Sequence, residues 1–185
     1  MRWLGVAGGL AGAAGAGYLF LWALALPPSE PNRENGLFWG ALWLAAFLTG
    51  ARLAWTGRRR ALTLVGCAAT VMAFLGQMTI GFFFLPGAVL TSTAAAIGDP
   101  RDAGHRSGRQ AAGWGALAGA LALAGTLVAD WVFSSPLTLE IPGFLVPLTV
   151  LVAFARPGAG VPFAAGAAAG FGWPFLALLL WFFWH

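Results

Sequence analysis

Apolar residues fall in long blocks separated by short polar stretches. The first block covers residues 3–26 and ends at PPSEPNREN. The second covers 37–55, with Arg52 near its end, and TGRRR follows. The third runs uncharged from residue 61 to residue 98 and stops at DPRD. Beyond the loop DPRDAGHRSGRQ come blocks at 111–133, 141–155 and 161–184, divided by SSPLTLE and RPGAG. About 20 apolar residues in a helix span roughly 30 Å of hydrocarbon. Continuous blocks of this length predict transmembrane helices, whereas a membrane barrel shows short alternating segments.

The third block holds 38 residues. As one helix it would be about 57 Å long at 1.5 Å per residue, too long for tilt to absorb. Gly81 and Pro86-Gly87 are the punctuation within it. A turn near Ile80 and Gly81 divides the block into spans at 61–80 and 82–98. Pro86 then falls near a first helical turn, where a missing N–H costs little.

Arginine placement chooses between one crossing and two. With two crossings, and the N-terminus inside, Arg2, Arg52, Arg58, Arg59, Arg60, Arg101, Arg106, Arg109 and Arg156 share the inner side. Arg33 alone is outside, with Glu30, Glu34 and Glu140. Cytoplasmic loops carry the excess of basic residues, so the double crossing is preferred. The expected fold class is all-α: a polytopic transmembrane bundle of about seven segments, N-in and C-out, forming one membrane-embedded domain over residues 1–185. Six spans plus a re-entrant segment at 82–98 is the alternative. Tryptophans agree with this topology. Trp3, Trp55 and Trp114 fall at the inner boundary, and Trp22, Trp39, Trp131, Trp181 and Trp184 at the outer one, as amphipathic rings at headgroup level do.

Composition sharpens the class. The chain is 59% hydrophobic and 9% charged, against about 25% charged in soluble domains. All ten basic residues are arginine, and with the abundant Ala and Gly this suggests a GC-rich bacterial genome. The expected location is therefore the bacterial cytoplasmic (inner) membrane. The expected partners are the lipid bilayer and another membrane protein. Nucleic acid is excluded, since no extended basic face exists outside short loops. Arg2 and the apolar stretch up to Ala23-Leu24-Ala25 resemble a signal peptide. At over 20 residues the stretch exceeds the usual apolar core of about 7–15, so a retained helix is expected.

Absent residue types exclude several chemistries. There is no Lys for a Schiff base. His105 and His185 lie in a loop and at the C-terminus, unsuited to an intramembrane haem, a zinc site or a serine-protease base. An aspartyl dyad needs two carboxylates. Asp130 is the only one in or near a span, apart from Glu140 at a span entrance. Cys67, the single cysteine, cannot form an intramolecular disulfide. No catalytic residue, metal or cofactor is expected.

What remains is a short set of candidates. Gln77, Thr91, Ser92, Thr93 and Asp130 form a candidate polar pocket. Asp130 is near a span's end, where an anchor in headgroup water is the simpler role, and hydroxyls of Ser and Thr can bond back to the helix carbonyl at i−4. Asp99, Arg101, Asp102, His105, Arg106 and Arg109 form a candidate lipid- or partner-binding loop, although such a loop also serves to set topology. Gly5, Gly8, Gly9 and Gly12, then Gly115 with Gly119 and Gly166 with Gly170, stand at the four-residue spacing that lets helix backbones approach in lipid. These eight are candidate helix-packing positions. The expected function is non-catalytic: an accessory or scaffold subunit acting by helix packing or by binding a lipid or apolar ligand. A small transporter, or the substrate-binding membrane subunit of one, is the alternative, because prolines inside spans often mark cavities.

Overall fold

The computed structural model describes residues 2–75, 81–97, 105–133 and 160–184. They form six helices: α1 (Arg2–Ala25), α2 (Asn32–Thr56), α3 (Arg59–Leu75), α4 (Gly81–Ile97), α5 (His105–Phe133) and α6 (Gly160–Trp184). Three of these, over Arg2–Ala25, Asn32–Thr56 and Gly160–Phe182, are long and apolar enough to cross a membrane. The expected span at 141–155, and Gln77, Asp99, Arg101 and Asp102, lie outside the described residues.

Local chemistry sets the helix ends. Pro27 and Pro28 follow the last residues of α1, and a residue before proline is pushed out of helical geometry. The end of α2 is a Schellman cap. Gly57 takes the left-handed conformation at φ 74°, its N–H bonds the Ala54 carbonyl at 3.3 Å, and the Arg58 N–H bonds that of Leu53 at 3.0 Å. Only Gly57 and Arg58 separate α2 from α3.

Two boundaries differ from the hydropathy pattern. α2 begins at Asn32 and α5 at His105, each several residues before its apolar block. Backbone hydrogen bonding does not stop where hydrocarbon stops, and polar side chains can ride the outer turns of a helix. His105, Arg106 and Arg109, expected in a loop, therefore stand on α5. In α4, Pro86 falls in the second turn rather than the first, because the helix already begins at Gly81.

The long third block folds back on itself. α3 and α4 are antiparallel: Arg59, at the start of α3, donates to the Ala95 and Ala96 carbonyls at the end of α4, and Gly66 faces Ser92. α1 packs antiparallel to α2, with Gly5 against Ala54 and Gly36 against Ala23. It packs antiparallel to α4 as well, with Gly8 against Thr91 and Gly15 against Phe83. α5 and α6 run parallel, Ala112 meeting Gly166 and Ala116 meeting Gly170. α6 is antiparallel to α4, since Ala165 sits with Ala95 in one apolar cluster while Gly172 meets Val89.

These directions bring Arg2, Arg52, Arg58, Arg59, Arg60, Arg106 and Arg109 to one end of the bundle. Arg33 is at the other, on the first turn of α2. Trp3 and Trp55 pack edge to face at the arginine-rich end, with ring centroids 5.3 Å apart.

α4 is the centre. It contacts α1, α3 and α6 extensively, and Phe84, Leu85, Ala88, Val89, Thr91, Ser92 and Ala95 on it are all at most 1% exposed. A helix apolar on every side belongs inside a bundle. Beside it, Trp43, Phe47 and Phe84 form an aromatic cluster with centroids 5.6–6.2 Å apart. Large apolar side chains also cover the outside: Leu10, Leu21, Phe38, Leu117, Leu121 and Phe182 are exposed.

Candidate functional site

Thr91, Ser92 and Thr93 are consecutive on α4, so helical geometry turns them about 100° apart. Each meets a different helix. A methyl group on Gly8 of α1 would lie 2.8 Å from the Thr91 hydroxyl, and one on Gly66 of α3 would lie 2.6 Å from that of Ser92. Thr93 accepts a hydrogen bond from the Trp173 indole of α6 at 3.0 Å and donates to the Val89 carbonyl at 2.7 Å. The three hydroxyls therefore do not converge on a common cavity. Thr93 makes the i−4 back-bond, as do Thr63 to Arg59 and Thr70 to Gly66. The Thr91 and Ser92 hydroxyls are buried without a hydrogen-bond partner. Asp130 stands in the last turn of α5.

The glycines build two kinds of seam. Between α5 and α6 the contact is reciprocal: Gly115 faces the Phe163 carbonyl, Gly119 that of Ala167, Gly166 that of Ala112 and Gly170 that of Ala116. Any Cβ at these positions collides with a carbonyl oxygen, so both backbones need the missing side chains. Around α1 the seam is shared. Gly5, Gly9 and Gly12 face Ala54, Ala51 and the Phe47 ring of α2, while Gly8 faces α4. Gly17, off this spacing, has open space around it.

Several packing positions were not singled out by the sequence pattern. Gly36 and Gly40 on α2 press against Ala23 and Phe20, and their four-residue spacing was visible. Gly66 and Gly87 carry no such spacing signal, and Gly87 looked like turn punctuation.

Arg59 is another such residue. Its Nε donates to the Ala95 carbonyl at 2.7 Å and its Nη2 to that of Ala96 at 3.0 Å. The last carbonyls of a helix have no partner within it and carry partial negative charge. A planar guanidinium with several donors satisfies two at once. Gly108 on α5 lies under the same guanidinium, so Arg59 joins α3, α4 and α5 at one end. Arg109 is exposed beside it on α5.

At the opposite end a groove of about 610 Å³ lies between the end of α1 and the start of α2. Tyr18, Trp22, Trp39 and Phe83 supply aromatic walls, and Asn32 and Asn35 supply carboxamides. A shallower apolar groove of about 400 Å³ follows α5 and α6 past Pro174. Among the described residues no three His, Cys, Asp or Glu side chains gather closely enough to hold a metal ion. Cys67 is buried, and its thiol donates to the Ala164 carbonyl at 3.6 Å. Comparison with protein-family models, curated proteins and solved structures finds no match.

Proposed function

We propose that the protein is a non-catalytic, multi-pass helical bundle of the bacterial cytoplasmic membrane, serving as an accessory or scaffold subunit through helix packing and lipid binding. The observation that carries this reading is the distribution of residue size. Glycine and alanine occupy the helix seams, while Leu, Phe and Trp cover the outside. In water, apolar patches larger than a few hundred Å² on a monomer signal an interface. In lipid no hydrophobic drive joins helices, so close backbone approach at small residues does that work.

The seven-segment, N-in topology belongs to this proposal. Its support is the gathering of all described arginines but Arg33 at one end, as the positive-inside rule asks. The parallel packing of α5 and α6 adds to it: Phe133 and Gly160, the ends flanking residues 134–159, lie at opposite ends of the bundle.

Native purification with identification of co-purifying proteins and lipids tests the role. A stoichiometric membrane partner or retained lipid supports it. A bundle that purifies alone, without lipid, and drives solute flux in proteoliposomes overturns it in favour of transport. One observation favours that second reading. Pro86 and Pro174 stand inside α4 and α6 and free the carbonyls of Phe82 and Gly170, as broken helices lining transport pathways do.

A further inference from the structure

Charge is divided unevenly between the two ends of the bundle. Arg2, Arg52, Arg58, Arg60 and Arg109 are exposed at one end. The described carboxylates belong to the other: Glu30 between α1 and α2, Glu34 in the first turn of α2 and Asp130 near the end of α5. Residues 98–104, between α4 and α5, hold Asp99, Arg101 and Asp102, a net of one negative charge against the seven described arginines of this end. The excess positive charge must therefore be met by anions from outside the chain.

At the start of α1 and the end of α2 these arginines accompany an aromatic pair. Trp3 and Trp55 pack edge to face with centroids 5.3 Å apart, yet remain 72% and 52% exposed. Arg2 precedes Trp3, and Arg52 is one turn before Trp55 on the same side of α2. Arg58 follows directly on the Gly57 cap. An exposed indole suits the headgroup level, where its ring meets acyl chains and its N–H meets oxygen. The planar fork of arginine matches phosphate oxygens. The two residue types together fit a molecule that carries phosphate, ester oxygens and acyl chains in that order. The surplus of arginine favours one whose headgroup has a net negative charge.

We propose that Arg2, Arg52 and Arg58, with Trp3 and Trp55, hold one anionic phospholipid of the leaflet at the arginine-rich end. Its phosphate lies against the guanidinium groups and its glycerol ester region on the tryptophan pair. The inference rests on the membrane-bundle reading above, and it names the class of lipid and its place.

Delipidated full-length protein in mild uncharged detergent, titrated with dioleoylphosphatidylglycerol or dioleoylphosphatidylethanolamine and followed by native mass spectrometry, tests it. The two lipids share acyl chains and differ in net charge. One phosphatidylglycerol should bind per protein, about fivefold or more tightly than phosphatidylethanolamine, the attraction of about one arginine near an anionic surface. The double substitution Arg2→Gln and Arg52→Gln should bring the two lipids to within about twofold of each other. Trp3→Leu should weaken both by a few-fold and keep their ratio. Arg109→Gln, at the same end but on α5, which packs on α6, should leave the preference unchanged. No preference in the unaltered protein, or a preference that survives the double substitution, overturns the proposal. So does an equal loss from Arg109→Gln alone, which would assign the preference to the charge of the whole end. Alkaline carbonate extraction separates the two readings: release from membranes sinks the membrane bundle itself, whereas retention without lipid preference sinks only this site.

Discussion

Gly12 on α1 and Gly87 on α4 meet backbone to backbone. A Cβ on Gly87 would land on the Gly12 Cα and amide nitrogen, and would lie 3.0 Å from the Gly8 carbonyl oxygen. One turn away on either side the same crossing brings Gly8 to Thr91 and Gly15 to Phe83. α1 can approach α4 this closely because Gly87 carries no side chain at the crossing, while a side chain on Gly12 would meet the Phe47 ring of α2.

Leucine at either residue forces the helices apart. Overpacking a filled interior costs about 1–3 kcal/mol, and more is expected where backbone rather than side chain must move. Gly12→Leu and Gly87→Leu should each lower the melting temperature in detergent by at least several degrees. Gly17→Leu, with nothing within 4 Å of its Cβ position, should change it little. Equal tolerance at all three positions contradicts the packing of α1 on α2 at Gly12 and on α4 at Gly87.

Alanine in α5 should have opposite effects at neighbouring glycines. Gly113 and Gly125 face open space, so alanine there should add roughly 0.5–1 kcal/mol of stability through helix propensity. At Gly119 the same methyl meets the Ala167 carbonyl, and the sign should reverse. Thermal melts of Gly113→Ala and Gly119→Ala check this, and two shifts of the same sign argue against the parallel α5–α6 seam.

Arg59 caps α4 through two charge-assisted hydrogen bonds. Hydrogen bonds to charged groups contribute about 1.5–3 kcal/mol, so Arg59→Gln should destabilise by about that much. Lysine keeps the charge but lacks the planar fork, and Arg59→Lys should recover only part of the loss. Faster amide exchange in the last turn of α4, relative to its middle, is the accompanying readout. Full recovery by lysine would mean that charge alone matters.

Cysteines placed at Arg60 and Arg109, with Cys67 changed to serine, should both react with an impermeant thiol reagent from one side of the membrane. A cysteine at Arg33 should react from the other. The antiparallel α3–α4 pair requires the first result. Opposite-side labelling at residues 60 and 109 rules out the double crossing.

Asp130 stands three residues before the end of α5, and the sequence reading gives it the role of an anchor in headgroup water. Asp130→Asn should therefore leave yield and melting temperature nearly unchanged. Loss of the assembled protein would instead mark an intramembrane site of the kind that buried carboxylates form.

Hydropathy and charge were sufficient for the helical class and for dividing residues 61–98 between two helices. The 38-residue length pointed to two helices, and α4 begins at Gly81, but Pro86 and Gly87, read as punctuation, lie inside it. Chain termini of helices were less legible. α2 and α5 extend beyond their apolar blocks because hydrogen bonding continues into polar turns. The small-residue spacing pointed to Gly5, Gly8, Gly9 and Gly12, and to the α5 and α6 pairs. Spacing reports which face of a helix is smooth, because i and i+4 lie one above the other.

Which partner each smooth face meets is a property of three dimensions. The tertiary structure alone brings Gly87 onto Gly12, Gly66 under Ser92 and Arg59 onto the α4 carbonyls. These residues are separated along the chain by 26 positions or more, and no local pattern links them. It also sends Thr91, Ser92 and Thr93 to three different helices, where the sequence had grouped them in one pocket. Consecutive residues on a helix diverge by about 100°, so their neighbours depend on which helices surround α4, and that follows from how the whole chain packs.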